Sequence, residues 1–237
     1  RVLGNQVGTR MGSHCHRSSE LTDEVGAVKP YYSDSNVTIY HGDCRDVMFL
    51  IKEVNLLITD PPYGIEFQSN YRVIKHRKIA GDSELPIDLI EMAMAKATHA
   101  SYVFCRWDTL HEMPRPKSVI AWIKNNWSMG DLKHEHGRKW EACCFYPHSE
   151  HQFLKRIPDV ITAKRTGNNL HPTEKPIDAI QPIIESNVGE IIFDPFMGSG
   201  TTLVAARNLS RTAIGVELDE RYCEVAAERC RQGILEL

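Results

Sequence analysis

Two short segments of this 237-residue chain hold residue types that chemistry needs. The first is Thr59-Asp60-Pro61-Pro62-Tyr63-Gly64, which directly follows the apolar run Asn55 to Thr59. Consecutive prolines are stiff and lack N–H donors, so their carbonyls are aimed rather than spent on a ladder. The exocyclic amine of a nucleic-acid base has two hydrogens and needs two acceptors. The Asp60 carboxylate and the Pro61 carbonyl are suited to supply them, and Tyr63 offers a flat face for a base already out of its stack. Standing alone, Asp-Pro-Pro is more plainly a turn punctuated by prolines.

The second segment is Ile191-Ile192-Phe193-Asp194-Pro195-Phe196-Met197-Gly198-Ser199-Gly200-Thr201-Thr202. Glycines two apart after a strand let the backbone turn sharply, and the helix that follows presents free N–H groups there. Glu217 ends the next strand, seventeen residues beyond Gly200, where an acid accepts both hydroxyls of a ribose. The pair reads as a nucleoside-cofactor site. A dinucleotide fingerprint wants a small residue where Leu203 stands, and Asp194 repels a pyrophosphate but attracts an ammonium. Both points favour S-adenosylmethionine over a nicotinamide dinucleotide. A helix-packing loop with no ligand is the alternative.

These segments need a frame. Strands are expected at Val37–Tyr40, Asn55–Thr59, Ser101–Arg106, Ser118–Ile123, Glu190–Phe193 and Ala213–Val216. Helices are expected at 45–52, 86–98, 176–187, 201–209 and 219–232. Apolar runs without alternation suit strands covered on both faces, and alternating strands and helices mean an α/β sandwich with a mostly parallel sheet. Residues 1–30 are polar, glycine-punctuated and without period, and read as a flexible segment. The chain opens on Arg1, which suggests a fragment or an added leading segment, with Met11 a candidate start. Residues 31–237 read as one domain, of which 124–170 look irregular.

Taken together, the two segments resemble the amino-group DNA methyltransferases, in which a DPPY motif and a glycine-rich cofactor motif share one Rossmann-like sheet. DPPY precedes DPFMGSGT here, the permuted order of the β group. Tyr40-His41-Gly42-Asp43-Cys44 resembles the family segment whose Asp reaches the cofactor adenine. Trp122-Ile123-Lys124 through Met129-Gly130, with His136 and Glu141, resembles the element lining the base pocket. His171-Pro172-Thr173-Glu174-Lys175-Pro176 resembles the segment beside the methionine end.

The resemblance implies a seven-stranded, mostly parallel sheet with helices on both faces. It further implies site-specific methyl transfer from S-adenosylmethionine to adenine N6 in double-stranded DNA, on a flipped-out base. Asp60, Pro61, Pro62 and Tyr63 would hold the base. Asp43, Cys44, Asp60, Lys175, Asp194, Pro195, Phe196, Gly198, Ser199, Gly200, Thr201 and Glu217 would hold the cofactor. Aspartate at the first DPPY position leans toward adenine; cytosine N4, an RNA base, or a non-catalytic DNA-binding module of the same fold are the alternatives.

Composition agrees with a globular protein: 42% hydrophobic, 25% charged, net charge −3. No run approaches the ~20 apolar residues of a membrane span, and no signal-peptide pattern opens the chain. Seven scattered cysteines without a Cys-x-x-Cys pair suit a reducing cytoplasm. Residues 61–175 carry 17 Lys/Arg against 13 Asp/Glu, while 176–237 carry 5 against 10. The basic middle suggests a polyanion-facing surface. Arg72, Lys75, Arg77 and Lys78 are expected to contact phosphates, as are Lys133, Arg138 and Lys139 in the region where relatives place target recognition. That region is short, so either the recognised site is short or a second subunit, as in a homodimer, helps grip the duplex. His134, His136, His148 and His151 with Cys143 and Cys144 match no zinc spacing, and no metal is expected.

Overall fold

The computed structural model describes residues 28–64, 85–127, 133–167, 170 and 174–232. Within them the chain runs β1 (Tyr32–Ser33), β2 (Val37–His41), α1 (Cys44–Met48), β3 (Val54–Thr59), α2 (Ile87–Met94), β4 (Ala97–Cys105) and β5 (Ser118–Ile123). It continues through β6 (Trp140–Pro147), β7 (Val160–Thr162), α3 (Ile177–Ser186), β8 (Ile191–Asp194), α4 (Thr201–Asn208), β9 (Thr212–Glu217) and α5 (Glu220–Gln232). One sheet holds the strands in the order β1-β2-β9-β8-β3-β4-β6-β5-β7. Pairs β2–β9, β9–β8, β8–β3, β3–β4 and β5–β7 are parallel; β6 runs antiparallel to both β4 and β5.

The apolar runs explain the layers. On β3, Leu56 and Ile58 face one core while Leu57 faces the other, and all three are fully buried. The first core takes Ile180, Ile183 and Ile184 of α3, Leu203 and Ala206 of α4, and Cys223, Ala226 and Ala227 of α5. The second takes Val47 and Met48 of α1 with Leu89, Ile90 and Ala93 of α2. A strand covered by helices on both sides has no polar face to offer, which is why β3 reads as a continuous hydrophobic run. The result is a Rossmann-like α/β sandwich.

Three features depart from the sequence reading. Among the described residues the sheet has nine strands against the seven expected, because two-residue β1 and three-residue β7 extend its edges. The helix expected at 86–98 stops at Met94, and Ala97 already pairs with Val54 as the start of β4. The stretch 124–170 is not irregular throughout, since β6 crosses it between β4 and β5. Its Ala142-Cys143-Cys144-Phe145-Tyr146 core is wholly buried, which is the same signal that marks β3. Among the described residues, no helix is long and apolar enough to cross a membrane.

Candidate active site

All the parallel strands of the central sheet deliver their carboxyl ends to one edge. Gly42 and Asp43 follow β2, Asp60 follows β3, Phe104 nears the end of β4, Lys124 follows β5, Asp194 ends β8 and Glu217 ends β9. Glu141, second residue of antiparallel β6, enters from the same edge. The connections leave β8 and β3 in opposite directions, so the crevice between these neighbours is the switch point at which α/β sheets bind ligands. A recess of about 410 Å³ empty volume lies there, lined by Thr59, Asp60, Lys175, Asp194, Met197, Gly198 and Thr201 among others. The DPPY segment and the glycine turn therefore share one cavity.

Thr59 ties the two loops: its Oγ1 donates to Asp194 Oδ1 at 2.7 Å, and the Phe196 amide reaches the same oxygen at 3.2 Å. Burial nevertheless pushes the Asp194 carboxyl up to about 6. The turn that follows needs left-handed backbone at Gly198 (φ +51°) and Gly200 (φ +79°), conformations that cost little only for glycine. Gly200 is doubly constrained, because a Cβ there would sit 2.7 Å from the Ala226 Cβ of α5. Leu203 packs where a Cβ on Gly215 would come within 2.9 Å, so the small residue that lets helix approach strand lies on β9 rather than on α4. Glu217 accepts from the Gly198 amide at 3.1 Å and the Asp219 amide at 2.8 Å, and burial raises its carboxyl above the usual range.

A second cluster surrounds Asp60. The Tyr63 hydroxyl donates to Asp60 Oδ1, and the Lys175 ammonium pairs with Oδ2. Lys175 also lies 3.2 Å from Glu141 Oε2, and Lys124 pairs with the other Glu141 oxygen. The Lys175 side chain is only 6% exposed. Burial opposes its charge, but Asp60 and Glu141 outweigh that and hold the ammonium above its ordinary range. Burial likewise resists charge on Glu141, yet Lys175 and Lys124 bring its carboxyl down to about 2. Burial, only partly offset by Lys175, pushes the Asp60 carboxyl up. Phe104, Tyr63 and Trp122 rings stand 5.4, 5.6 and 5.9 Å from the ammonium.

The remaining expected residues fall as follows. Pro61 and Pro195 are buried, and Pro62 is half-buried. Asp43 caps α1, accepting from the Arg45 amide at 2.9 Å, while the Cys44 side chain turns into the second core. Ser199 and Thr201 are held by a residue the sequence reading missed: Arg229 of α5 donates to the Ser199 carbonyl at 2.7 Å and to Thr201 Oγ1 at 3.2 Å. Buried Glu174 balances that guanidinium at 3.5 Å. No motif flags an arginine thirty residues beyond the turn it pins. Lys133 and Lys139 are exposed on the segment entering β6, and Arg138 pairs with Glu135 at 3.3 Å. Arg72, Lys75, Arg77 and Lys78, with Met129-Gly130 and His171-Pro172-Thr173, lie outside the described residues. Among the described residues, no three His, Cys, Asp or Glu side chains are grouped as metal ligands.

Solved methyltransferases share this architecture. The sheet is similar to that of the M1.HpyAVI complex with S-adenosylmethionine (TM-score 0.63, 23% identity, 81% of this chain and 99% of that one). It is also similar to the cytosine-N4-specific PvuII DNA methyltransferase (TM-score 0.65, 16% identity, 86% and 89% covered). A family model described as DNA methylase, the N6/N4 methyltransferase model, matches residues 121–228. The putative methylase YubD of Escherichia coli K12 is 34% identical over 207 residues, covering 79% of this chain and 87% of that protein. The type II methyltransferase M2.LlaDCHI of Lactococcus lactis subsp. cremoris is 25% identical over 86% of this chain and 93% of its own length. The chain belongs to the N6/N4 family of DNA methylases.

Proposed function

We propose that this protein transfers a methyl group from S-adenosylmethionine to the N6 of an adenine turned out of a DNA duplex. The observation that carries the reading is the shared recess, in which Asp60 and the Gly198–Gly200 turn face one cavity at the switch point of the sheet. Its lining suits a nucleoside that ends in a cation: apolar Phe196, Met197 and Ile180 stand beside buried Asp194, with Glu217 behind the glycine turn. Asp43, Asp194, Phe196, Gly198, Gly200, Thr201 and Glu217 would hold the cofactor, whose sulfonium supplies a transferable methyl.

Asp60 and the Pro61 carbonyl then act on the amine. An adenine amino nitrogen is a poor nucleophile because its lone pair is delocalised into the ring. Hydrogen bonds from both N–H groups to Asp60 and Pro61 draw the nitrogen toward tetrahedral geometry and localise that pair. The nitrogen–carbon bond forms as the carbon–sulfur bond breaks, and the amine's proton, made acidic by the new bond, leaves toward Asp60 or water. No covalent enzyme intermediate is needed, so orientation and fixed polar groups supply the rate. Tyr63 would stack on the base, and Lys133, Arg138 and Lys139, with Arg72, Lys75, Arg77 and Lys78, would contact phosphates.

Incubation with methyl-labelled cofactor and either DNA or RNA, followed by digestion to nucleosides, tests this. Label in N6-methyldeoxyadenosine is expected. Label in N4-methyldeoxycytidine would reassign the base, label in RNA alone the substrate, and tight cofactor binding with no label in any nucleic acid would contradict catalysis.

A further inference from the structure

Both carboxylate oxygens of Asp60 are occupied before a base arrives, Oδ1 by the Tyr63 hydroxyl and Oδ2 by the Lys175 ammonium. A base amine that donates to either oxygen therefore meets a donor already bound there. Tyr63 belongs to the same loop as Asp60, three residues on. Lys175 comes from the segment before α3 and has a second carboxylate within reach, Glu141 at 3.2 Å. Lys124 fixes Glu141 from the other side, so Asp60, Lys175, Glu141 and Lys124 alternate in sign across four separate segments. The rings of Phe104, Tyr63 and Trp122 surround the ammonium and favour a cation there even when one carboxylate is lost.

We propose that Lys175 holds the place of the target amine on Asp60 and transfers its pairing to Glu141 when the base enters. Glu141 is thus a positioning residue for base capture and touches neither base nor cofactor. Breaking a buried ion pair by removing one partner strands a charge, whereas Lys175 keeps Glu141 as a partner when it leaves Asp60. The inference rests on the methyltransferase reading above and adds to it the event that clears the acceptor.

A double-mutant cycle on the full chain tests it, using Glu141→Gln, Lys175→Met and the pair. DNA methylation kinetics on unmethylated plasmid are read together with cofactor affinity by calorimetry. Assays run from about pH 7 to 9, so that Asp60 stays ionised when Lys175 is removed. Glu141→Gln is expected to keep cofactor affinity within about twofold and to raise KM for DNA about tenfold, with kcat changed less. In the Lys175→Met background the same change is expected to move KM less than about twofold, because the competitor is gone. Lys124→Met gives an independent sign: Glu141, relieved of one partner, draws Lys175 off Asp60, and KM is expected to fall about threefold.

Equal KM rises in both backgrounds would mean that Glu141 contacts the base, and would overturn the proposal. So would an unchanged or raised KM in Lys124→Met. Loss of cofactor affinity in Lys175→Met would return Lys175 to the cofactor. No transfer by that variant anywhere in the pH range, with cofactor bound normally, would make Lys175 part of the transfer itself; either result ends the place-holding role. If the parent protein methylates no DNA, the reading beneath the proposal fails instead.

Discussion

At the residue scale the site is built on carboxylates held at unequal protonation energies. Glu141, between two ammonium groups, is kept charged, while burial pushes Asp60 and Asp194 the other way. In the proposed transfer Asp60 acts as a carboxylate, which accepts more strongly than the protonated acid. Its raised pKa therefore predicts that methyl transfer is lost, as pH falls, above the ~4 of an ordinary aspartate. A pH–rate profile flat down to that value would contradict it. Asp60→Ala is expected to leave cofactor affinity near that of the parent and to lower transfer by about 10³-fold or more, by calorimetry and labelled-methyl assay. Asp194 adds a stability signature. A carboxyl raised to about 6 takes up a proton on folding, so its charge costs stability increasingly as pH rises from the unfolded value near 4 through 6. Thermal melts of Asp194→Asn should gain on the parent across that window and not below it.

At the scale of elements, the glycine turn is held from three sides: Glu217 on the Gly198 amide, Arg229 on Ser199 and Thr201, and Ala226 against Gly200. Gly200→Ala introduces both a left-handed alanine and a 2.7 Å contact, and is expected to cost about 1–3 kcal/mol with weakened cofactor binding. Denaturant melts and calorimetry check the two effects separately. The turn itself was legible in the sequence, because glycines after an apolar strand announce it. So were β3 and the helices α3, α4 and α5, whose apolar spacing is regular. Arg229 was not, since a pinning contact from a distant helix leaves no local pattern. Strand β6 was missed for another reason. Its apolar run is plain, but an antiparallel strand inserted between two parallel ones breaks the strand–helix alternation used to find the others. The motif around Lys175 points to the cofactor, and only the fold reveals that its ammonium sits on Asp60.

At the scale of the molecule, a net charge of −3 conceals a basic middle, and DNA affinity should depend on that segment rather than on the total. Replacing Lys133, Arg138 and Lys139 together with Ala is expected to weaken DNA binding and reduce the slope of log K against log salt by about 2 to 3. A slope unchanged in fluorescence anisotropy would remove these residues from the interface. The fold brings Asp60 and Gly198 together across 138 positions of sequence because β3 and β8 are neighbours in the sheet. In the proposed transfer, cofactor and base approach each other inside the crevice between those strands. A crystal structure of the protein with S-adenosylmethionine tests that most directly. The ribose is expected at Glu217, with the methyl-bearing end turned toward Asp60 and Pro61. A cofactor bound with its sulfur facing away from Asp60, or outside the β3–β8 crevice, would contradict it.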